Sequence, residues 1–213
     1  MPVRHFSRTG SHRRAMMRNL VTSLIEHESI ITTHAKAKET QKLADKLISL
    51  TKKDNITQAK VDAGEDLFKL KTTIPKLFQD LRTRFAKREG GFTRVLRLEP
   101  RLGDRAEQSI VELVDGPKEM KLWMTARVVA RLQLQNLPVD DLTQHNVDKL
   151  IQFRAGGQEE FDALVERCKK EFYRDGKSED LKNLPPPAEN MRKPYTGYKL
   201  VKGFKVMPRP TKE

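Results

Sequence analysis

The sequence predicts an α+β protein in which a small mixed sheet, one short strand plus a C-terminal hairpin, packs with helices in a two-layer domain. An all-helical extension and an extended basic tail follow. Three observations carry this. Apolar residues recur at helical spacing through several separate stretches. Short β-branched runs interrupt them at 29–33, 92–98 and 109–114. The chain then changes character at Asp115-Gly116-Pro117, a cluster of turn residues. The expected organisation is an extended basic arm over 1–10, a folded domain over 11–117, a helical extension over 118–175, and a linker with a basic, aromatic tail over 176–213.

Taken in order, Met1 to Gly10 mix Pro, Ser, Thr and Gly with Arg and read as an arm. Ser11 caps a helix running to about His27, with Met17, Leu20, Val21, Leu24 and Ile25 at helical spacing. Ser29 to Thr33 form a strand. A helix over about 35–53 turns Leu43, Ala44, Leu47, Ile48 and Leu50 inward and Lys36, Lys38, Lys42 and Lys46 to the other faces. A short helix over 57–64 precedes a loop to about 73, after which Pro75 sits in the first turn of a helix striped by Leu77, Phe78, Leu81 and Phe85. Gly90-Gly91 ends that helix and introduces the hairpin, with strands over 92–98 and 109–114. The extension reads as helices over 118–136, 144–154 (capped by Thr143) and 158–174, with Met120, Trp123, Met124, Val128 and Leu132 as the core stripe of its first helix.

Charge says more than composition. The chain of 213 residues carries a formal net charge of +13. Residues 1–117 hold 23 basic and 15 acidic side chains, residues 118–187 hold 12 of each, and residues 188–213 hold 7 and 2. The first 25 residues contain five Arg and no acid. A solvated surface normally interleaves both signs. An acid-free Arg block fits two roles, an arm that neutralises phosphates and an organelle-targeting segment.

Catalysis has nothing to stand on. The five His fall at no metal-ligand spacing. Asp140-Asp141 and Glu159-Glu160 are adjacent, so on a helix they point apart and cannot share a proton. Their place is near helix N-termini, where negative charge is favoured. There is no phosphate loop or nucleophile elbow. Cys168 stands alone in a helical apolar stripe with Phe161, Leu164, Val165 and Phe172, which excludes a disulfide within the chain. No run approaches the roughly 18–20 apolar residues of a membrane helix. The expectation is a protein that is no enzyme, with no cofactor, metal or small-molecule substrate, and no self-association.

A nucleic-acid partner fits better. Arg84, Lys87, Arg88, Arg94, Arg97, Arg101 and Arg105 surround Gly90-Gly91, where a backbone without side chains lets a phosphate approach closely. No zinc-finger spacing, basic zipper or aromatic strand motif accompanies them, which points to folded RNA recognised by shape and phosphates. Tyr195, Tyr198 and Phe204 alternate with Lys and Arg in the tail, a composition suited to stacking on bases or to a solvated tail. The electrically neutral segment 118–174 suits packing on the first domain or on a partner protein.

The residues also resemble a known family. Gly10-Ser11-His12-Arg13-Arg14-Ala15-Met16-Met17-Arg18-Asn19-Leu20 is similar to the opening helix of the bacterial-type large-subunit ribosomal protein L-seventeen family. Ile31-Thr32-Thr33-His34-Ala35-Lys36-Ala37-Lys38-Glu39, the run from Arg84 to Leu96, and Ile110 to Asp115 resemble its later blocks in the same order. The resemblance implies a compact α/β domain bound to large-subunit rRNA near the exit end of the peptide tunnel, beside other large-subunit proteins. Carried over by position, the RNA contacts fall on Arg4, Arg8, Ser11, His12, Arg13, Arg14, Arg18, Lys36, Lys38, Arg84, Arg88 and Arg94. The charge pattern adds Gly90, Gly91 and Arg97. Bacterial members end soon after the position of Asp115, whereas here 118–213 continue, as in fungal mitochondrial ribosomal proteins. The expected location is therefore the mitochondrial matrix, with the bacterial cytoplasm as alternative, and a peripheral RNA-binding or assembly factor built on the same domain is the alternative role. The matching blocks begin so near Met1 that little room for a removable presequence is expected.

Overall fold

The computed structural model describes residues 4–173. The predicted linker and aromatic tail lie outside the described residues.

Helix α1 (Gly10–His27) starts two residues earlier than the sequence predicts. Thr9, extended at φ −63° and ψ 156°, takes the N-cap position and Ser11 falls inside the first turn. Buried Met17, Val21, Leu24 and Ile25 line its inner face. Glu28 ends the helix in the left-handed region at φ 65°, its amide donating to Leu24 O at 2.8 Å. The chain passes at once into β1 (Ser29–Thr33) and then α2 (His34–Leu50), which buries Ala37, Ala44, Leu47, Ile48 and Leu50. The final turn of α2 stops short of the expected residue 53, where Thr51 Oγ1 donates to Ile48 O at 2.7 Å.

Helix α3 (Ile56–Glu65) is capped by Asn55, whose side chain accepts the Gln58 amide. The next region departs from expectation. Helical backbone begins at α4 (Leu70–Pro75), continues through a π-helical stretch (Lys76–Leu81), and closes in α5 (Arg82–Arg84). Pro75 therefore lies inside the rod rather than in its first turn. A proline there removes one amide and crowds the carbonyl four residues back, and the π-type widening that follows is a common way to absorb this. The rod ends at Phe85, so Gly90-Gly91 lies in a loop beyond the helix instead of terminating it.

β2 (Thr93–Arg97) and β3 (Gln108–Leu113) complete a three-stranded sheet of order β1-β3-β2. Both pairings are antiparallel, so the sheet is antiparallel throughout rather than mixed. β1 pairs with the far side of the hairpin's second strand, Ser29 opposite Glu112 and Thr33 opposite Gln108. The last strand in sequence thus becomes the central one, and all but its first residue are buried. Its side chains alternate. Val111 and Leu113 face the helices with Ile30 and Val95, in a core that includes Leu24, Leu47, Leu77, Leu81, Phe85 and Phe92. Ile110 and Glu112 face the other way.

Beyond β3, α6 (Met120–Leu134), α7 (Asp141–Ile151) and α8 (Gly157–Phe172) enclose a second, separate core. Asp140, not Thr143, caps α7: its carboxylate accepts the Thr143 amide. The predicted stripe of α6 is also displaced. Leu122, Ala126, Val129, Ala130 and Leu132 are buried and Trp123 packs against this core, while Met120 and Met124 are exposed. Buried Cys168 belongs to this core, and burial pushes its thiol pKa up.

Candidate nucleic-acid interface

The arginine-rich start of the chain is held against α2. Arg4 and Arg13 both pair with Glu39, at 3.2 and 3.0 Å, and Arg13 Nε donates to Arg4 O. Glu39 is buried, so one acid from α2 fastens both the arm and α1. Arg8 donates to Phe6 O at 2.8 Å. The Arg18 guanidinium lies 4.1 Å from the Phe68 ring centroid and donates to Leu67 O, an internal strut between α1 and the segment before α4.

Other predicted contacts point outward. Ser11, His12 and Arg14 are exposed along α1. Ser11 shares a hydroxyl contact with Thr9. His12 and Arg14 have no hydrogen-bond or ion-pair partner among the described residues, and neither do the ammonium groups of partly exposed Lys36 and Lys38. Arg14 also lines a groove of about 270 Å³ between α1 and α2 with Lys42, Lys46, Glu39 and Asp66. Lys42 and Lys46, surface residues by helical spacing alone, thus stand in the same groove as Arg14.

The second basic cluster behaves differently. Arg84 makes a two-pronged pair with Glu28 at 3.0 and 3.1 Å, and Lys76 joins the same carboxylate. Burial favours the neutral form of Glu28, but the bonds from Arg84 and Lys76 outweigh it and hold the carboxyl below its usual pKa. Arg88 grips Asp115 at 2.9 and 3.1 Å and stacks 4.5 Å from the Phe153 centroid. Arg94 bonds both Glu112 and Glu119. Glu119 in turn accepts Arg154 at 2.9 Å and the Asp115 amide at 3.0 Å. Glu112 and Glu119 are fully buried, and the Arg154 side chain is nearly so. Burial pushes the Glu112 carboxyl up, against the Met120 amide and Arg94 that favour its charge.

Gly116 is the knot of this arrangement. Its carbonyl accepts from Arg154 at 2.8 Å, and a Cβ there would stand 2.6 Å from Glu28 Oε2 and 3.0 Å from Arg84 Nη1. Only glycine lets the ion pair lie so close to the backbone. Arg84, Arg88 and Arg94 therefore do structural work at the junction with the helical extension. Arg97 at the end of β2, and Gly90 and Gly91, are exposed. Gly91 has φ +67°, and an added Cβ at either glycine would meet nothing within 4 Å.

Local patterns do not mark Glu28, Glu39, Glu112, Asp115, Glu119 and Arg154, because the ion-pair partners that give them their roles lie between 18 and 56 residues away. Among the described residues no group of three or more His, Cys, Asp or Glu side chains is placed to hold a metal ion, and no helix is long and apolar enough to cross a membrane.

Fold and surface together describe a small basic α+β protein with exposed cations on α1 and α2, and with a helical unit appended by buried charge. Comparison with known proteins gives the family. The sequence pattern of ribosomal protein L17 matches residues 16–114. A large ribosomal subunit protein bL17m of Neurospora crassa is 50% identical over 163 residues, 76% of this chain and 84% of that protein. Its namesake in Schizosaccharomyces pombe is 43% identical over 168 residues, 78% of this chain and 81% of that protein. The chain belongs to the ribosomal protein L17 family, a family of ribosomal proteins and not of enzymes. Alignments of that length run well past Val114, so the likeness to the fungal proteins includes part of the helical extension.

Proposed function

We propose that this protein is a structural constituent of the large subunit of the mitochondrial ribosome, where it binds large-subunit rRNA by phosphate and shape recognition near the peptide exit region. It works by holding RNA segments together and offering protein surface to neighbouring ribosomal proteins, in support of mitochondrial translation. The mitochondrial assignment follows from the relatives named bL17m, and the exit-region placement follows from the family resemblance.

The observation that carries the RNA reading is the division of the basic residues. Arg14, Lys36 and Lys38 carry charge that no acid among the described residues compensates, at the surface of α1 and the first turns of α2, with exposed His12 also on α1. Such cations gain by releasing the counterions condensed on phosphate. Arg97 and the open backbone at Gly90-Gly91, at opposite ends of β2, offer two further contact points. Arg4, Arg13, Arg84, Arg88 and Arg94 shape the surface while their charge is shared with acids of this chain.

Sedimentation of the tagged protein from fractionated mitochondria tests the ribosomal role. Comigration with the large subunit, retained in high salt, is expected; release by modest salt overturns it. The residue assignment is tested by RNA binding across a salt series. Replacing Arg14, Lys36 and Lys38 together by Gln lowers the slope of log K against log salt by about 2–3, at roughly 0.7–0.9 per lost phosphate contact. An unchanged slope removes these residues from the interface.

A further inference from the structure

The sheet has two open edges, and they are unequal. The amide of Val114 donates to Phe92 O and that of Leu98 to Gln108 O. Alternation along the strand then turns the backbone of Thr93, Val95 and Arg97 outward at the β2 edge. That edge is guarded: Gln41 of α2 reaches the Thr93 carbonyl, and Arg97 puts a charge on it. At β1 the Leu113 amide donates to Glu28 O at 2.9 Å and the His34 amide to Glu107 O at 2.8 Å. Ile30 and Thr32 thus pair with β3, while Ser29, Ile31 and Thr33 direct backbone groups away from the sheet. Neither backbone group of Ile31 has a hydrogen-bond partner on that side among the described residues.

The β1 sequence Ser-Ile-Ile-Thr-Thr contains no charge, proline or glycine, none of the devices that protect an edge from pairing. Its central side chain is 64% exposed. Ile31 lies in one register row with Ile110 and Leu96 on the sheet face turned away from the first core. Glu112, two residues along the same face from Ile110, accepts the Met120 amide at 2.7 Å, and Met120 and Met124 are both exposed.

We propose that the β1 edge is a docking site for an extended segment of a different protein, which adds a fourth strand and lays apolar side chains over Ile31. This rests on the ribosomal reading above and names a partner surface within it. Main-chain donors and acceptors repeating every two residues are met by another strand, whereas RNA offers no such ladder. Charge selects the partner. Lys118, whose ammonium donates to His27 O, stands at one end of β1, and Lys36 and Lys38 follow the other. A second copy pairing antiparallel about Ile31 would set these lysine-bearing ends against each other, which is unfavourable. A segment with an apolar, β-branched centre and an acidic residue facing Lys118 meets this edge and leaves Lys36 and Lys38 to RNA.

Ile31→Pro removes one outward amide and leaves the β1–β3 ladder in place, a substitution tolerated on an edge. The full-length variant is expected to keep the wild-type unfolding midpoint and RNA salt slope, yet be retained about tenfold less on salt-washed large subunits, with Ile31→Lys showing the same pattern. A benzophenone amino acid at position 31 in purified subunits is expected to cross-link to a peptide of another ribosomal protein, and the adduct is expected to fall when the neighbouring edge amide is blocked by Thr33→Pro. Cross-linking to RNA, to a second copy of this chain or to nothing overturns the proposal, as does full retention of Ile31→Pro. Loss of RNA binding by the wild-type isolated protein would instead count against the ribosomal reading, so the two failures are distinguishable.

Discussion

Two regions of this molecule look alike in sequence and differ in what their charge does. The start of the chain and the surroundings of Gly90-Gly91 are both dense in arginine. At the first, Arg14, Lys36 and Lys38 have no ion-pair partner among the described residues, while Arg4 and Arg13 share a single acid, Glu39. At the second, Arg84, Arg88 and Arg94 meet Glu28, Asp115, Glu112 and Glu119 nearly one for one, and Arg154 joins from the extension. Positive charge attracts phosphate only where the fold has not already neutralised it. On the proposed reading the same side-chain type serves RNA in one place, while in the other it ties the joint between two cores.

The largest expected effect comes from breaking that joint. Glu119 is fully buried and serves Arg94, Arg154 and the Asp115 amide at once. Glu119→Ala leaves two guanidinium groups short of a partner, a loss of the kind that costs about 3–5 kcal/mol. The first core is drawn from residues between Val21 and Val114 and the second from residues between Leu122 and Tyr173. Losing the joint should therefore uncouple them. Denaturant unfolding is expected to split into two steps, and Cys168, shielded in the second core, is expected to react with a thiol reagent in the step that opens the extension. A single transition displaced by under about 1 kcal/mol would show that apolar contacts, not the charge cluster, hold the extension.

A smaller effect is expected at Glu28, whose side chain is 11% exposed. The pair with Arg84 sits between the roughly 0–1 kcal/mol of an exposed ion pair and the larger loss at a buried one. The bonds from Arg84 and Lys76 outweigh burial and hold its carboxyl below the ordinary 4.5. Folding therefore favours the ionised form, so the stabilisation is present above about pH 4.5 and is lost as pH falls through the depressed folded value. Wild type and Glu28→Gln should differ in stability at neutral pH and converge on acidification. A gap that stays constant with pH would assign the role of Glu28 to its shape at the left-handed end of α1 rather than to its charge.

How much of this was legible beforehand follows from range. α1, α2, α3 and the hairpin are readable because helical and alternating patterns are local, and β1 is marked by four β-branched residues in five. The rod from Leu70 was not, since Pro75 suggests a start and the π-helical accommodation leaves no local signature. Met120 and Met124 pass for core by spacing alone, yet α6 is rotated so that Leu122, Ala126 and Val129 are buried instead. The candidate site was half legible. Its basic residues announce themselves, but the acids that silence Arg88 and Arg94 come from 18 to 27 residues away and are brought in only by the antiparallel hairpin and the turn after it.

The smallest expected effect is a null, and it sharpens the comparison most. Replacing Arg88 alone would strand Asp115, whose side chain is only 3% exposed. The double variant Arg88→Gln with Asp115→Asn removes both charges, keeps the net charge, and leaves at position 115 a residue type that tolerates its φ of 58°. If Arg88 belongs to the joint, the salt slope for RNA binding stays at its wild-type value. If it reaches a phosphate, the slope falls by about 0.7–0.9. Arg14→Gln, measured beside it, is expected to show that fall. Equal slopes for both variants would mean that ion pairing within the chain does not decide which arginines meet RNA. The line drawn between the two regions would then disappear, because Arg88 would have to leave Asp115 when RNA binds.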